Sequence, residues 1–250
     1  MVIIFILKII LKQLFSIMEE YYINEDLFFK DRELYKIEDT QNIKINKKNW
    51  FKYLKEYGWE KISKDWKHKL ENNYVSVLEC GSDGDCLFHV LAEALNFDLI
   101  YKHKMPEYDI SSLRILCSEE INDDNYSIIL ESYKAEVECD EFFGDWDPNL
   151  IKNKEELKVE ILKMGNNFWG DHILMQLLSC KLEINFVILS DNMNINIINN
   201  ELKYSKTIFI YFLDNLHFQL IGYFNGRFIE TVFCNDNIPI CFGRLLKNYI

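Results

Sequence analysis

The chain has little of what breaks or bends a backbone: 250 residues contain 3 Pro and 9 Gly. Collagen-like, proline-rich and flexible-linker architectures are excluded at once. Alanine is confined to Ala92, Ala94 and Ala135, while Ile, Asn and Lys abound, so the Asn runs are first a compositional bias. Positive charge is also short, with 28 Lys and Arg against 40 Asp and Glu and a net charge of −12. A chain of that sign is repelled by phosphate backbones, which sets nucleic acid aside and favours a basic protein partner. The seven cysteines include no C-x-x-C pair and are odd in number, and none of the five His stands in H-E-x-x-H. Zinc knuckles, zincins and secreted disulfide frameworks are therefore disfavoured, and no metal is expected. The thiols point to a reducing intracellular compartment, taken as the cytoplasm.

What is present describes a folded domain: 49% of the residues are hydrophobic, 15% aromatic and 27% charged. The length allows one large domain or two small ones with a real core. The strongest apolar stretch is 1–18, MVIIFILKIILKQLFSIM. It is short for a bilayer span and lacks a signal-cleavage pattern, and Lys8, Lys12 and Ser16 share one helical stripe. It reads as an apolar helix, either docked on the domain or in contact with a membrane interface; Met18 opens an alternative, soluble-looking start. Residues 19–71, rich in Lys, Glu, Tyr and Trp, read as a helical extension. Residues 72–224 form the main domain, and 225–250 a C-terminal strand and tail packed on it.

Within the main domain, YVSVLE at 74–79 alternates like a half-buried strand. The Gly/Asp turn 81–85 leads into a helical pattern from Cys86, and further helices are expected from Ser111, over 152–164, and after a cap at Asp171. Strands follow at 184–189, 207–213, 217–223 and 228–233, with a polar, Asn-rich excursion between the first two. Helices first and strands last predict an α+β fold with an antiparallel sheet flanked by helices.

Cys86 at the first turn of a helix is a candidate nucleophile. Free backbone N–H groups and the helix dipole favour the thiolate. The same turn can aim the backbone N–H groups of Asp83 and Cys86 at a developing oxyanion, with Gly84 leaving the approach open. A base is needed, most often His. His89 lies over the helix flank, His172 and His103 read as surface residues, and His68 sits on a polar helix face. His217 opens an apolar strand, HFQLIGYF, where a polar residue needs a reason such as an active site.

Asp83-Gly84-Asp85-Cys86-Leu87-Phe88 resembles the D-G-x-C-L-F signature of the ovarian-tumour (OTU) family of cysteine deubiquitinases. Leu113-Arg114, Trp169-Gly170, Ile184-Asn185-Phe186-Val187-Ile188 and Thr207–Tyr211 leading into His217-Phe218 resemble further blocks of that family, in its order, across about 72–224. The resemblance implies a papain-like fold and hydrolysis of the isopeptide bond after the C-terminal glycine of ubiquitin or polyubiquitin. It implies Cys86 as nucleophile, His217 as base, Asp83 as an acidic member of the site, and no cofactor. The family usually places Asp or Asn two residues after the His; here that position is Gln219. Gln219, Asp83 and Asn215 are the candidates for orienting the imidazole. The alternatives are a catalytically weak ubiquitin-binding module and a peptidase acting on another ubiquitin-like modifier.

Overall fold

The computed structural model describes residues 20–39, 41–82 and 84–247. The apolar stretch 1–18 and Asp83 lie outside the described residues.

The first elements depart from expectation. Residues 20–44 form an antiparallel sheet of β1 (Glu20–Tyr22), β2 (Leu27–Lys30), β3 (Glu33–Glu38) and β4 (Gln41–Lys44), where helices were expected. The reason is local: Asp31 and Arg32 both adopt positive φ, 51° and 61°, the conformation of a tight hairpin turn between β2 and β3. The sheet docks on the main body through Phe29, which meets Tyr101 and Phe228 edge-on, and through Leu34 N–H, which donates to Arg227 O at 2.8 Å.

Helix α1 (Trp50–Leu54) follows, then β5 (Trp59–Lys61), α2 (Lys64–Leu70) and β6 (Val75–Leu78). β5 pairs with β6, so the central sheet begins before residue 72. Next come α3 (Cys86–Tyr101), α4 (Ile110–Glu120), α5 (Tyr126–Glu138), α6 (Lys154–Ile161) and α7 (His172–Leu182), the last capped as expected by Asp171, which accepts from Leu174 N–H at 2.9 Å. The strands β7 (Ile184–Ser190), β8 (Ile195–Ile197), β9 (Lys206–Leu213) and β10 (His217–Phe224) complete the middle of the sheet. Short strands β11 (Ile229–Glu230) and β12 (Val232–Cys234) and helix α8 (Ile240–Leu246) end the described chain.

The protein is α+β, and its main sheet runs β5-β6-β10-β9-β7-β8, with β11 added to β10 and β12 to β9. The sheet is mixed rather than wholly antiparallel, because β7 and β9 run parallel. The Asn-rich segment between them supplies β8 and a 3-10 turn, and that excursion returns the chain to the end where β7 began. Asn185 pins the return: its amide donates to Tyr204 O and Lys206 O at 2.7 and 2.9 Å, and its oxygen accepts from Tyr204 N–H.

Period-2 alternation splits the core over the two faces. Phe186, Ile208, Ile210 and Leu220 face α3, α4 and α7, whereas Val187, Phe209, Tyr211 and Ile221 face Trp66 of α2 and Phe242 of α8. Phe242 stacks on Phe209 at 4.1 Å between ring centroids, and the Trp66 indole N–H donates to Ser190 O at 2.7 Å.

Candidate active site

Cys86 is the first residue of α3 and only 3% exposed. The turn before it is fixed from behind by a buried ion pair. Asp85 turns its carboxylate inward, where Arg114 of α4 donates from Nε at 3.0 Å and Nη2 at 2.5 Å. The other oxygen of Asp85 accepts from Gly165 N–H at 2.6 Å. Arg114 is fully buried, donates also to Ile161 O and Phe168 O, and lies over the Phe88 ring. Every polar edge of this charged pair thus has a partner, as burial requires.

The same segment presses on the turn from the front. Gly170 N–H donates to Gly84 O at 3.0 Å. Gly84 has φ of +77°, and a Cβ there would lie 2.5 Å from Gly165 O. A Cβ on Gly170 would lie 2.6 Å from Leu87 Cβ. The Trp-Gly pair at 169–170 and the Arg of α4 therefore position the Cys86 turn.

The strand pairing brings the start of the strand that His217 opens to this turn. β9 and β10 join through a tight turn in which Asp214 and Asn215 have φ of 53° and 55°. His217 starts β10, and hydrogen bonding at the backbone of its neighbour Phe218 reaches the Cys86 thiol. Burial pushes that thiol up; the backbone at Phe218 and Leu87 pulls it back in part, and the charge of Glu79 adds to the rise. The resting group is a raised thiol, opposite to the effect expected of a helix N-terminus alone, because desolvation outweighs the dipole.

Sequence reasoning missed Glu79. Its carboxylate lies 2.8 and 2.7 Å from His217 Nε2 through its two oxygens. The Gln219 amide N–H donates to Oε2 at 3.0 Å, and Gly81 N–H donates to Oε1 at 3.2 Å. Burial alone would raise this carboxyl; the hydrogen bonds from Gln219, His217 and Gly81 outweigh it and hold Glu79 below its usual value. The register explains the meeting. Leu220 pairs with Leu78, so one step on Gln219 stands opposite Glu79, with His217 on the diagonal. The alternation of YVSVLE already puts Glu79 on the face of Val77; only the partner strand, far along the chain, shows what it faces.

Gln219 thus meets the carboxylate that meets the ring. Asn215 lines the neighbouring groove, and no hydrogen bond joins it to His217 among the described residues. His89 packs its ring against Gly81, His172 and His103 are exposed, and His68 lies on the outer face of α2. All seven cysteines are free.

A groove of about 540 Å³ is lined in part by Gly170 and Phe218, whose backbones bond Gly84 O and the Cys86 thiol. Phe143, Trp169, Leu216 and Phe218 line it, with Glu136 and Glu141. Phe143 and Leu216 are 56% and 44% exposed, and the Phe143 ring lies 5.7 Å from that of Trp169. The groove combines apolar walls with negative charge.

No protein-family model and no curated protein matches the chain. Among solved structures it is similar to an ovarian tumour (OTU) domain in complex with ubiquitin, at 21% identity and a TM-score of 0.44, covering 66% of this chain and 77% of that one. It is similar to an OTU deubiquitinase from Wolbachia pipientis wMel bound to ubiquitin, at 15% identity and a TM-score of 0.42, over 62% of this chain and 99% of that one. A viral OTU domain protease from Qalyub virus follows at 16% identity and a TM-score of 0.35, over 65% and 96% of the two chains. At these values the likeness is one of fold and no more.

Proposed function

We propose that this chain is a thiol-dependent deubiquitinase of the OTU type, with Cys86 as nucleophile and His217 as base. The observation that carries the proposal is a helix-head thiol bonded at the backbone of Phe218, the residue next to an imidazole held by a carboxylate. The groove supports the substrate class: its apolar walls and its two glutamates suit an extended tail that carries arginines and ends in glycine, as ubiquitin's does.

The steps follow from the roles. His217 takes the Cys86 proton through its Nδ1 as sulfur attacks the carbonyl carbon of ubiquitin's C-terminal glycine; a C–S bond forms and the carbonyl electrons move to oxygen. Backbone N–H groups of the 83–86 turn, at Asp83, Gly84 and Cys86, receive that oxyanion. The C–N bond then breaks, and the proton on His217 passes to the leaving lysine amine. Water attacks the thioester carbon, giving a proton to His217. The C–S bond breaks, the carboxylic acid leaves, and the proton returns to sulfur.

A ubiquitin-binding module with weak chemistry is the second reading, favoured by the burial and raised thiol of Cys86. Incubation with a ubiquitin bearing a C-terminal electrophile tests both. A covalent adduct on Cys86 that forms at a catalytic rate supports the enzyme; reversible binding without an adduct supports the module. An adduct with a different ubiquitin-like probe in preference to ubiquitin would reassign the modifier.

A further inference from the structure

We propose that Glu79 is the positioning residue for His217 and that Gln219 acts one step behind it, clamping the carboxylate rather than the ring. Glu79 has this role only if His217 is the base assigned above. The ring has two nitrogens, and Nε2 is taken by Glu79. A carboxylate there requires a proton on Nε2, which leaves Nδ1 as the lone-pair nitrogen able to accept from a thiol. The same carboxylate stabilises the imidazolium that forms when the thiol proton arrives.

The clamp is built rather than incidental. Glu79 follows directly on β6, and its two oxygens are held from three sides: by Gly81 N–H, the Gln219 amide and the ring itself. Gln219 is two residues from His217 on the same face of β10 and bonds Glu79. With an amide there, Glu79 on the neighbouring strand supplies the charge, and its longer side chain spans the diagonal between strands. The titratable groups around the pair are Cys86 from α3, Cys80 from the 79–85 turn, and Glu93 of α3, which in turn faces His89. Among these, Glu79 is the acid in hydrogen-bond contact with His217.

The experiment measures kcat and KM across pH 5 to 9 on a ubiquitin C-terminal fluorogenic substrate, using the full chain. Glu79→Ala is expected to lower kcat by about 10²–10⁴-fold, the range set by removing the acidic partner of a catalytic His, with KM changed less than about threefold and the acidic limb of the profile moved. Acetate or formate added to Glu79→Ala should restore part of kcat, a rescue that a purely structural role would not give. Glu79→Gln keeps the shape and guards against a folding defect; it should lose kcat without rescue. Gln219→Ala should lose far less, and nothing further when combined with Glu79→Ala. Wild-type kcat in Glu79→Ala beside inactive Cys86→Ala and His217→Ala would overturn the Glu79 role and leave the enzyme reading intact. Should the wild type not turn over, the ring itself decides. The His217 Nε2–H proton should appear as a downfield NMR resonance, lost in Glu79→Ala and kept in Gln219→Ala, and its absence from the wild type would overturn the proposal.

Discussion

Cys86 carries two opposing influences: backbone groups at the head of α3 that favour the thiolate, and a buried setting that favours the thiol. Burial wins in the resting protein, and the sign has a consequence. An acid with a raised pKa is less ionised at any pH below it, so alkylation of Cys86 at pH 7 should be slower than at the exposed Cys139, Cys180 and Cys234. Its rate should keep rising with pH beyond about 8.5, where an ordinary thiol levels off. Peptide-resolved mass spectrometry after timed iodoacetamide labelling reads both trends; fastest labelling at Cys86 below pH 7 would mean a resting thiolate instead. The helix-head position of Cys86 and the strand-entry position of His217 are both visible in local patterns. That of Glu79 is not. Its place beside the ring depends on the register between β6 and β10, which no window of sequence contains.

At the scale of elements, the turn before α3 depends on α4 and on the segment after α6. Removing Arg114 would leave Asp85 buried without its cation. The expected cost is about 3–5 kcal/mol, so Arg114→Met should lower the urea midpoint sharply, and a loss under about 1 kcal/mol would show that the pair is not the anchor. Gly170→Ala should cost activity more than stability: the added Cβ meets Leu87, and relief comes from shifting the turn that holds Cys86. Fluorogenic turnover compared with the thermal midpoint separates the two effects; unchanged kcat would free Gly170 of that role. The strands after 184 were readable from continuous apolar runs. The parallel pair was not, because the Asn-rich excursion carries β8 in a composition that reads as loop. The hairpin at Asp31-Arg32 was missed for a related reason: neither residue is Gly or Asn, yet both take positive φ.

Over the whole molecule, the boundary drawn at residue 72 cuts through the central sheet. β5 is its edge strand, Trp59 packs against Gly222 so closely that a Cβ there would lie 2.5 Å from the indole, and Trp66 fills the second face of the core. A chain starting at residue 72 should therefore be insoluble or lack a cooperative melt, while one starting at Met18 should melt cooperatively; circular dichroism on both checks this. A cooperative melt for the shorter chain would restore the earlier boundary. The net charge of −12 leaves the molecule suited to basic partners. Among the described residues no helix is long and apolar enough to cross a membrane.

The central claim is covalent chemistry at one sulfur. Purified protein is mixed with a ubiquitin carrying an electrophile at its C-terminus, and the intact mass is followed beside that of Cys86→Ala. The wild type should gain the mass of one ubiquitin, mapped to Cys86, and Cys86→Ala should gain none while still melting cooperatively. An adduct of equal yield in Cys86→Ala, or one mapped to any of the other six cysteines, would contradict the account.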